Sequence, residues 1–365
     1  MKRFAVNGRF LTQPLTGVQR VARELCKAFA RNPATAEMLL LIPPGVEGEA
    51  DALGLPFRVA GRTADGPLRG ALWENRVLPK VLEGRVLLNL ANRAPLVPHA
   101  GAVLIHDAHV FDLPETYNAG FRLAYRLLYG QAVRNGLTLV TVSRFSRERL
   151  ARALATEASR WTVIPNGGDH LLEVEPDGDV LARHGLPAGE FVLAVSTPTS
   201  HKNPEILSEV ARLLASEGLP LVLVGDVPPG VYAPSSTPRG ITLLGRVSDG
   251  ALRALYENAG CFVFPSRYEG FGLPPLEAMS LGCPVAASDL PPLRESCGGA
   301  SLFFDPDDPG NILASIRRLL GDPRRRRNRI RAGRERAREL TWDRAAARWL
   351  ELLDSSRLFG EGTPA

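Results

Sequence analysis

Short apolar runs alternate with longer amphipathic ones along the whole chain. In the first half the apolar runs fall at 4–6, 38–42, 86–90, 103–105, 137–142 and 161–164. In the second half they fall at 191–195, 221–224, 241–244, 261–264, 285–287 and 302–304. Between them, apolar residues recur at helical spacing over 19–30, 205–216, 249–258, 276–281 and 311–320. A strand that is apolar throughout is covered on both faces, and helices between such strands imply parallel sheets. The pattern predicts an α/β chain of two doubly wound, Rossmann-like domains with ligands at the carboxyl ends of the strands. Loop formers Gly167, Gly168, Asp169, Pro176, Asp177, Gly178 and Asp179 separate the two periodic regions. The domains are therefore expected at 1–170 and 171–340, followed by a capped amphipathic helix at 341–358 and a tail at 359–365.

The stretch from Pro265 to Met279 carries the densest local specification. The run 261–264 reads as a buried strand. After it come Gly270-Phe271-Gly272, the pair Pro274-Pro275, and a short helix at 276–281 punctuated by Gly282 and Pro284. Strand, glycine loop and helix in that order make an anion site, because loop amides and the helix N-terminus face the space beyond the strand. Two carboxylates stand there, Glu269 in the loop and Glu277 in the expected first turn of the helix. Acids beside an anion site point to a ligand with both phosphates and hydroxyls. The glycines are not a dinucleotide fingerprint, since Pro275 occupies the third glycine position. No phosphate-binding loop of the G-x-x-x-x-G-K-[ST] type occurs.

Other strand ends add candidates. Thr16-Gly17-Val18 opens an amphipathic helix, either as a glycine approach to a ligand or as a turn capped by Thr16. His106 and Asp107 follow the run 103–105, where a histidine serves as a sugar contact or acid/base, or sits in a surface turn. His106, Asp107 and His109 do not read as a metal site, because consecutive positions at a strand end face opposite ways. Ser143 or Ser146 caps the helix expected at 147–154. Ser196-Thr197-Pro198-Thr199-Ser200-His201-Lys202-Asn203 follows the first strand of the second half, and Lys202 is the one lysine after Lys80. A compact ammonium in such a loop suits a pyrophosphate.

Composition narrows the setting. At 365 residues, 45% hydrophobic and 23% charged, the chain is of globular type. No apolar run reaches the ~18 residues of a membrane span. The four cysteines have no metal-ligand spacing and read as packed thiols of a reducing cytoplasm. The net charge of +5 is concentrated near Arg324-Arg325-Arg326-Arg327, a solvated helix face or a foothold on anionic lipid or acidic glycan. Nucleic acid is disfavoured, since no aromatics interleave the arginines.

With these residues in view, the chain resembles glycosyltransferase family 4, retaining GT-B enzymes that use nucleotide sugars. The spaced pair Glu269 and Glu277 matches the family's segment, and the likeness continues through Gly282–Asp289 to Arg294-Glu295. Thr16–Arg20, His106-Asp107, Thr141–Ser146, Ile164–Gly167, His201-Lys202-Asn203 and Gly245–Asp249 are similar to the family's markers, in the family's order. Within it the chain looks most like bacterial O-antigen, capsule and exopolysaccharide transferases, many of which use GDP-mannose.

The resemblance implies two Rossmann-like domains with a cleft between them that closes on the donor, and a last helix returning to the N-domain. Glu277 would hold the ribose hydroxyls. Lys202 would bind the diphosphate, with amides at Gly17 and around Leu273. Glu269 and the amides of Phe271 and Gly272 would hold the transferred sugar, which His106 would contact. Glu269, His106 and Lys202 are the expected catalytic residues. Gly17, Thr197, His201, Lys202, Gly270, Phe271, Gly272, Leu273 and Glu277 are the expected donor-binding ones. No metal is expected. His201 stands where the family usually has Arg, Ser196 where Gly is common, and Gly168 where an aliphatic residue is usual. The expected function is transfer of a hexose, mannose from GDP-mannose, to a glycan or lipid-linked acceptor. The expected place is the cytoplasm; the amphipathic, basic segment 121–129 reads as a helix packed on the N-domain sheet or as a peripheral contact with the membrane's inner face. The alternatives are a UDP- or dTDP-sugar transferase of the same fold, a sugar-nucleotide epimerase, or a non-catalytic nucleotide-sugar-binding protein.

Overall fold

The computed structural model describes residues 3–196, 199–226 and 240–354. The chain divides into two compact units. The first runs to Asn166 and includes the helix Trp342–Asp354, and the second is Gly167–Thr341. The division thus falls a few residues before the expected 170/171, at the start of the glycine pair.

The first unit is built on seven parallel strands: β1 (Phe4–Asn7), β2 (Leu39–Ile42), β3 (Phe57–Val59), β4 (Val86–Asn89), β5 (Gly101–Leu104), β6 (Thr138–Thr141) and β7 (Trp161–Val163). Their order across the sheet is β3-β2-β1-β4-β5-β6-β7. β3 was not legible in the hydrophobic pattern. It is a three-residue edge strand with Val59 exposed, so neither face demands a continuous apolar run. The second unit has six parallel strands: β8 (Val192–Val195), β9 (Leu221–Val224), β10 (Ile241–Gly245), β11 (Cys261–Phe264), β12 (Val285–Ser288) and β13 (Leu302–Phe304). Their order is β10-β9-β8-β11-β12-β13.

Each sheet reverses its winding once, at β1/β4 in the first unit and at β8/β11 in the second. A reversal leaves a crevice at the strands' carboxyl ends, because the flanking connections leave in opposite directions. The sheets are packed on both faces. In the second unit Val210 and Leu214 of helix Pro204–Ala215 and Ile316 and Leu319 of helix Pro309–Leu320 bury against Val192, Leu223 and Val263. Asn118, Ser143, Ser248 and Asp308 accept first-turn amides and so set where their helices begin.

Helix Trp342–Asp354 packs along helix Gly17–Arg31, burying Trp342 and Trp349 and pairing Asp343 with Arg31 at 2.6 Å. The arginine-rich segment forms helix Pro323–Glu339, whose buried residues are Gly333 and Ala337. That narrow side lies against helix Leu273–Ser280, and a Cβ at Gly333 would come within 3.2 Å of Met279. Arg324, Arg325, Arg327, Arg331, Arg334 and Arg338 are exposed. The four cysteines are buried free thiols, and burial pushes Cys261 up to about 12.

Candidate active site

At the reversal of the second sheet two loops meet. The loop after β8 turns through Ser200–Lys202 into Asn203, which adopts φ +56°, ψ +47° and starts helix Pro204–Ala215. Asn203 is fully buried. Its Nδ2 donates to the carbonyls of Pro265 at 3.2 Å and Pro306 at 2.7 Å. The Arg267 amide donates to the His201 carbonyl at 2.7 Å. These bonds tie the lysine loop to the loop after β11. As a result Lys202 Nζ sits 2.6 Å from Glu269 Oε1, and 5.2 Å from the centre of the Phe264 ring. The structure brings together the expected cation and the expected sugar-binding acid.

Gly272 has φ +92°, and a Cβ there would lie 2.3 Å from Leu293 Cδ2. Only glycine allows both the turn and the approach. Helix Leu273–Ser280 starts immediately after it, with prolines in its first turn. The helix begins earlier than the expected 276. Glu277 therefore lies in the second turn, which corrects its expected first-turn placement. Thr197 lies outside the described residues. Gly270, Phe271 and Gly272 are buried, whereas Leu273 and His201 are half-buried.

Glu277 is 6% exposed and stands among partners the sequence did not announce. Tyr256 donates its hydroxyl to Oε2 at 3.2 Å, and His170 Nε2 lies 3.4 Å from Oε1. Burial and the neighbouring carboxylate hold the Tyr256 phenol well above its ordinary range, so it remains a donor. His170 is carried by the segment after Gly168. A Cβ at Gly168 would lie 2.4 Å from Leu276 Cγ, so the glycine lets this segment close on the helix that bears Glu277. Arg253, one turn before Tyr256 on helix Asp249–Asn258, donates to the carbonyls of Leu172 at 3.0 Å and Val174 at 2.6 Å.

In the first unit the corresponding reversal carries a buried polar network. Asn7 ends β1, and its Nδ2 donates to Asn89 Oδ1 at 3.1 Å and Glu74 Oε1 at 3.2 Å. Glu74 meets Arg9 at 2.9 Å and Arg93 at 3.2 Å, so two guanidiniums share one carboxylate. Burial lowers the Arg9 pKa, and Glu74 opposes that. None of this network was singled out in the sequence, because its members lie more than sixty residues apart in places, as in the Arg9–Glu74 bond.

His106 follows β5 and is 7% exposed. Its ring Nε2 is 3.1 Å from the Leu90 carbonyl, and its amide donates to Asn92 Oδ1 at 2.8 Å. A carbonyl only accepts, so Nε2 carries the proton. Burial lowers the pKa of the imidazole, against smaller opposing effects of Leu90 and Asp107. The ring is therefore neutral at pH 7, with Nδ1 as an acceptor. Gly17 is the first residue of helix Gly17–Arg31, and a Cβ there would meet nothing within 4 Å. The turn reading expected Thr16 to cap that helix, but its side chain makes no capping hydrogen bond. Its hydroxyl bonds the Gln19 side chain instead. Among the described residues no three His, Cys, Asp or Glu side chains are grouped to hold a metal ion.

This arrangement matches known proteins. The model for glycosyl transferases group 1 matches residues 182–336, which span the Lys202, Glu269 and Glu277 loops. The chain is 33% identical over 252 residues to the O-antigen chain mannosyltransferase B of Escherichia coli, covering 65% of this chain and 66% of that one. It is 31% identical to the D-inositol 3-phosphate glycosyltransferase of Thermomonospora curvata, covering 70% and 67%. It thus spans about two thirds of these relatives' lengths. Among solved structures, Anabaena HepE in complex with UDP and glucose superposes with a TM-score of 0.72 at 20% identity, over 97% of this chain and 100% of that one. That likeness is one of fold, and the fold is GT-B. The chain belongs to the family of group 1 glycosyl transferases.

Proposed function

We propose that the protein transfers mannose from GDP-mannose to a glycan or lipid-linked acceptor in cell-surface polysaccharide synthesis, with retention at the anomeric carbon. The observation that carries this reading is the Lys202–Glu269 pair at the strand reversal, with Glu277 in the helix that follows. Lys202 spends one N–H on Glu269 and has two more for a diphosphate. Glu269 and the amides after it suit sugar hydroxyls, and Glu277 suits the ribose. The Escherichia coli relative, named for mannose transfer to an O-antigen chain, supports the choice of sugar and pathway class.

In this reaction the bond from C1 to the β-phosphate oxygen breaks while the acceptor oxygen bonds C1 on the same face. The acceptor's proton passes to the departing phosphate oxygen, so GDP leaves with it and no protein base is required. Charge on the diphosphate is met by Lys202 and backbone amides, fixed before the reaction begins. This supply of positive charge requires no metal ion. His106, neutral with Nδ1 as acceptor, is assigned to a hydroxyl of the sugar.

We place the protein in the cytoplasm, in peripheral contact with the inner face of the membrane. Helix Ala119–Arg134 supports this. It buries only Tyr129 and Ala132, exposes Phe121, Leu123 and Leu127, and carries Arg122, Arg126 and Arg134 with no acid. The exposed pair Leu123 and Leu127, one turn apart and beside Arg126 and Arg134, suits an anionic bilayer surface. No helix among the described residues is long and apolar enough to cross a membrane.

A thermal-shift panel of GDP, UDP, ADP and dTDP with their sugars tests the donor. A ligand raises the melting temperature in step with its affinity. GDP and GDP-mannose are expected to give the largest shifts. A larger shift from the UDP or dTDP series would replace the donor assignment, and no shift from any nucleotide would remove the enzyme reading.

A further inference from the structure

The partners of Glu277 have no role in the chemistry above, yet two separate segments converge to supply them. Tyr256 comes from helix Asp249–Asn258 and reaches Oε2 at 3.2 Å. His170 comes from the turn His170–Glu173 and reaches within 3.4 Å of Oε1. The turn is itself held from two sides. Arg253 fastens its carbonyls from the tyrosine's own helix, and Gly168 permits the approach to Leu276, the residue before Glu277. Each carboxylate oxygen thus has its own side-chain partner, and all three side chains are at least nine-tenths buried.

We propose that His170 and Tyr256 are positioning residues that fix the plane of the Glu277 carboxylate so that it reads two vicinal ribose hydroxyls, making the site selective for ribonucleoside over 2′-deoxyribonucleoside diphosphates. The proposal rests on Glu277 being the nucleotide-reading acid. A carboxylate free to rotate accepts well from one hydroxyl at a time. One held at both oxygens presents a fixed edge to a 2′,3′-diol. A site built to bond a hydroxyl also rejects the analogue that lacks it, because a buried acceptor is then left unmatched. With 6% exposure, Glu277 has little access to water that could take the missing hydroxyl's place.

Calorimetric titration of GDP and 2′-deoxy-GDP into the full chain tests this, with melting temperatures as a folding control. The wild type is expected to prefer GDP by about tenfold or more. His170→Ala and Tyr256→Phe are each expected to weaken GDP by about three- to tenfold, leave 2′-deoxy-GDP nearly unchanged, and so shrink the preference. In turnover of GDP-mannose the same variants should raise KM and spare kcat. His170→Gln, which keeps an N–H donor, should recover much of the preference. If His170→Ala fails to fold, Tyr256→Phe, which removes one hydroxyl only, carries the comparison. Glu277→Ala separates the levels of the argument. If it abolishes the preference while His170→Ala and Tyr256→Phe retain the wild-type ratio, the positioning role is overturned and the nucleotide-reading role stands. If Glu277→Ala leaves GDP affinity unchanged, both fall.

Discussion

Lys202 Nζ and Glu269 Oε1 are 2.6 Å apart, so the two groups assigned to different parts of the donor are bonded to each other. The side chains are 18% and 10% exposed, which places the pair between a solvated surface bridge and a buried one. The contact gives each group a second function. Glu269 aims the ammonium, and Lys202 in turn fixes the direction of the carboxylate.

The pair should behave as a unit. Lys202→Ala and Glu269→Ala should each lower kcat/KM by about 10²- to 10³-fold, as expected for loss of a preorganised charge. The double variant should fall well short of the product of the two. A double-mutant cycle on kcat/KM measures this. Strict additivity would mean that the contact carries no coupling.

His106 predicts a stability change on the acid side. Its folded pKa is lowered by burial, so between about 6.5 and that lower value the unfolded chain binds a proton that the folded one does not. Stability therefore falls as pH drops through this window, by at most about 1.4 kcal/mol per pH unit from this one group. Urea melts of the wild type and His106→Asn from pH 7.5 to 5.0 should show the wild type losing stability faster.

Gly168, where the family usually has an aliphatic residue, should not tolerate one here. A Cβ would lie 2.4 Å from Leu276 Cγ and 3.0 Å from the Leu276 carbonyl carbon. Gly168→Val should cost about 1–3 kcal/mol as overpacking. Because the clash pushes on the residue beside Glu277, it should also raise KM for the donor. Thermal melts with steady-state kinetics check both.

Every strand except β3, and the glutamate spacing, were legible in the sequence because they are local. A buried parallel strand needs a continuous apolar run, and a glycine loop before a helix needs its own residue types. Residues that act across distance were not legible. Asn203 staples two loops through a left-handed backbone, and its signal was an asparagine directly before Pro204. His170, Tyr256 and the Arg9–Glu74–Arg93 network carry no local signature, since each is defined by a partner from another element. Glu277 was displaced by one turn because Gly272 starts its helix early.

Helix Ala119–Arg134 predicts lipid dependence. Leu123 and Leu127 stand one turn apart on an exposed face that also carries Arg134. The protein should sediment with phosphatidylglycerol vesicles and much less with phosphatidylcholine vesicles. Leu123→Gln with Leu127→Gln should reduce binding severalfold, at unchanged melting temperature. Equal binding to both vesicle types would argue against a charge-assisted contact.

The proposed division of labour between Glu269 and Glu277 is read from GDP release from GDP-mannose by wild type, Glu269→Ala and Glu277→Ala. Glu277→Ala is predicted to raise KM for the donor while sparing most of kcat, and Glu269→Ala to lower kcat with a smaller change in KM. Equal losses of both kinds in both variants would contradict the division, and no GDP release by the wild type would contradict the whole account.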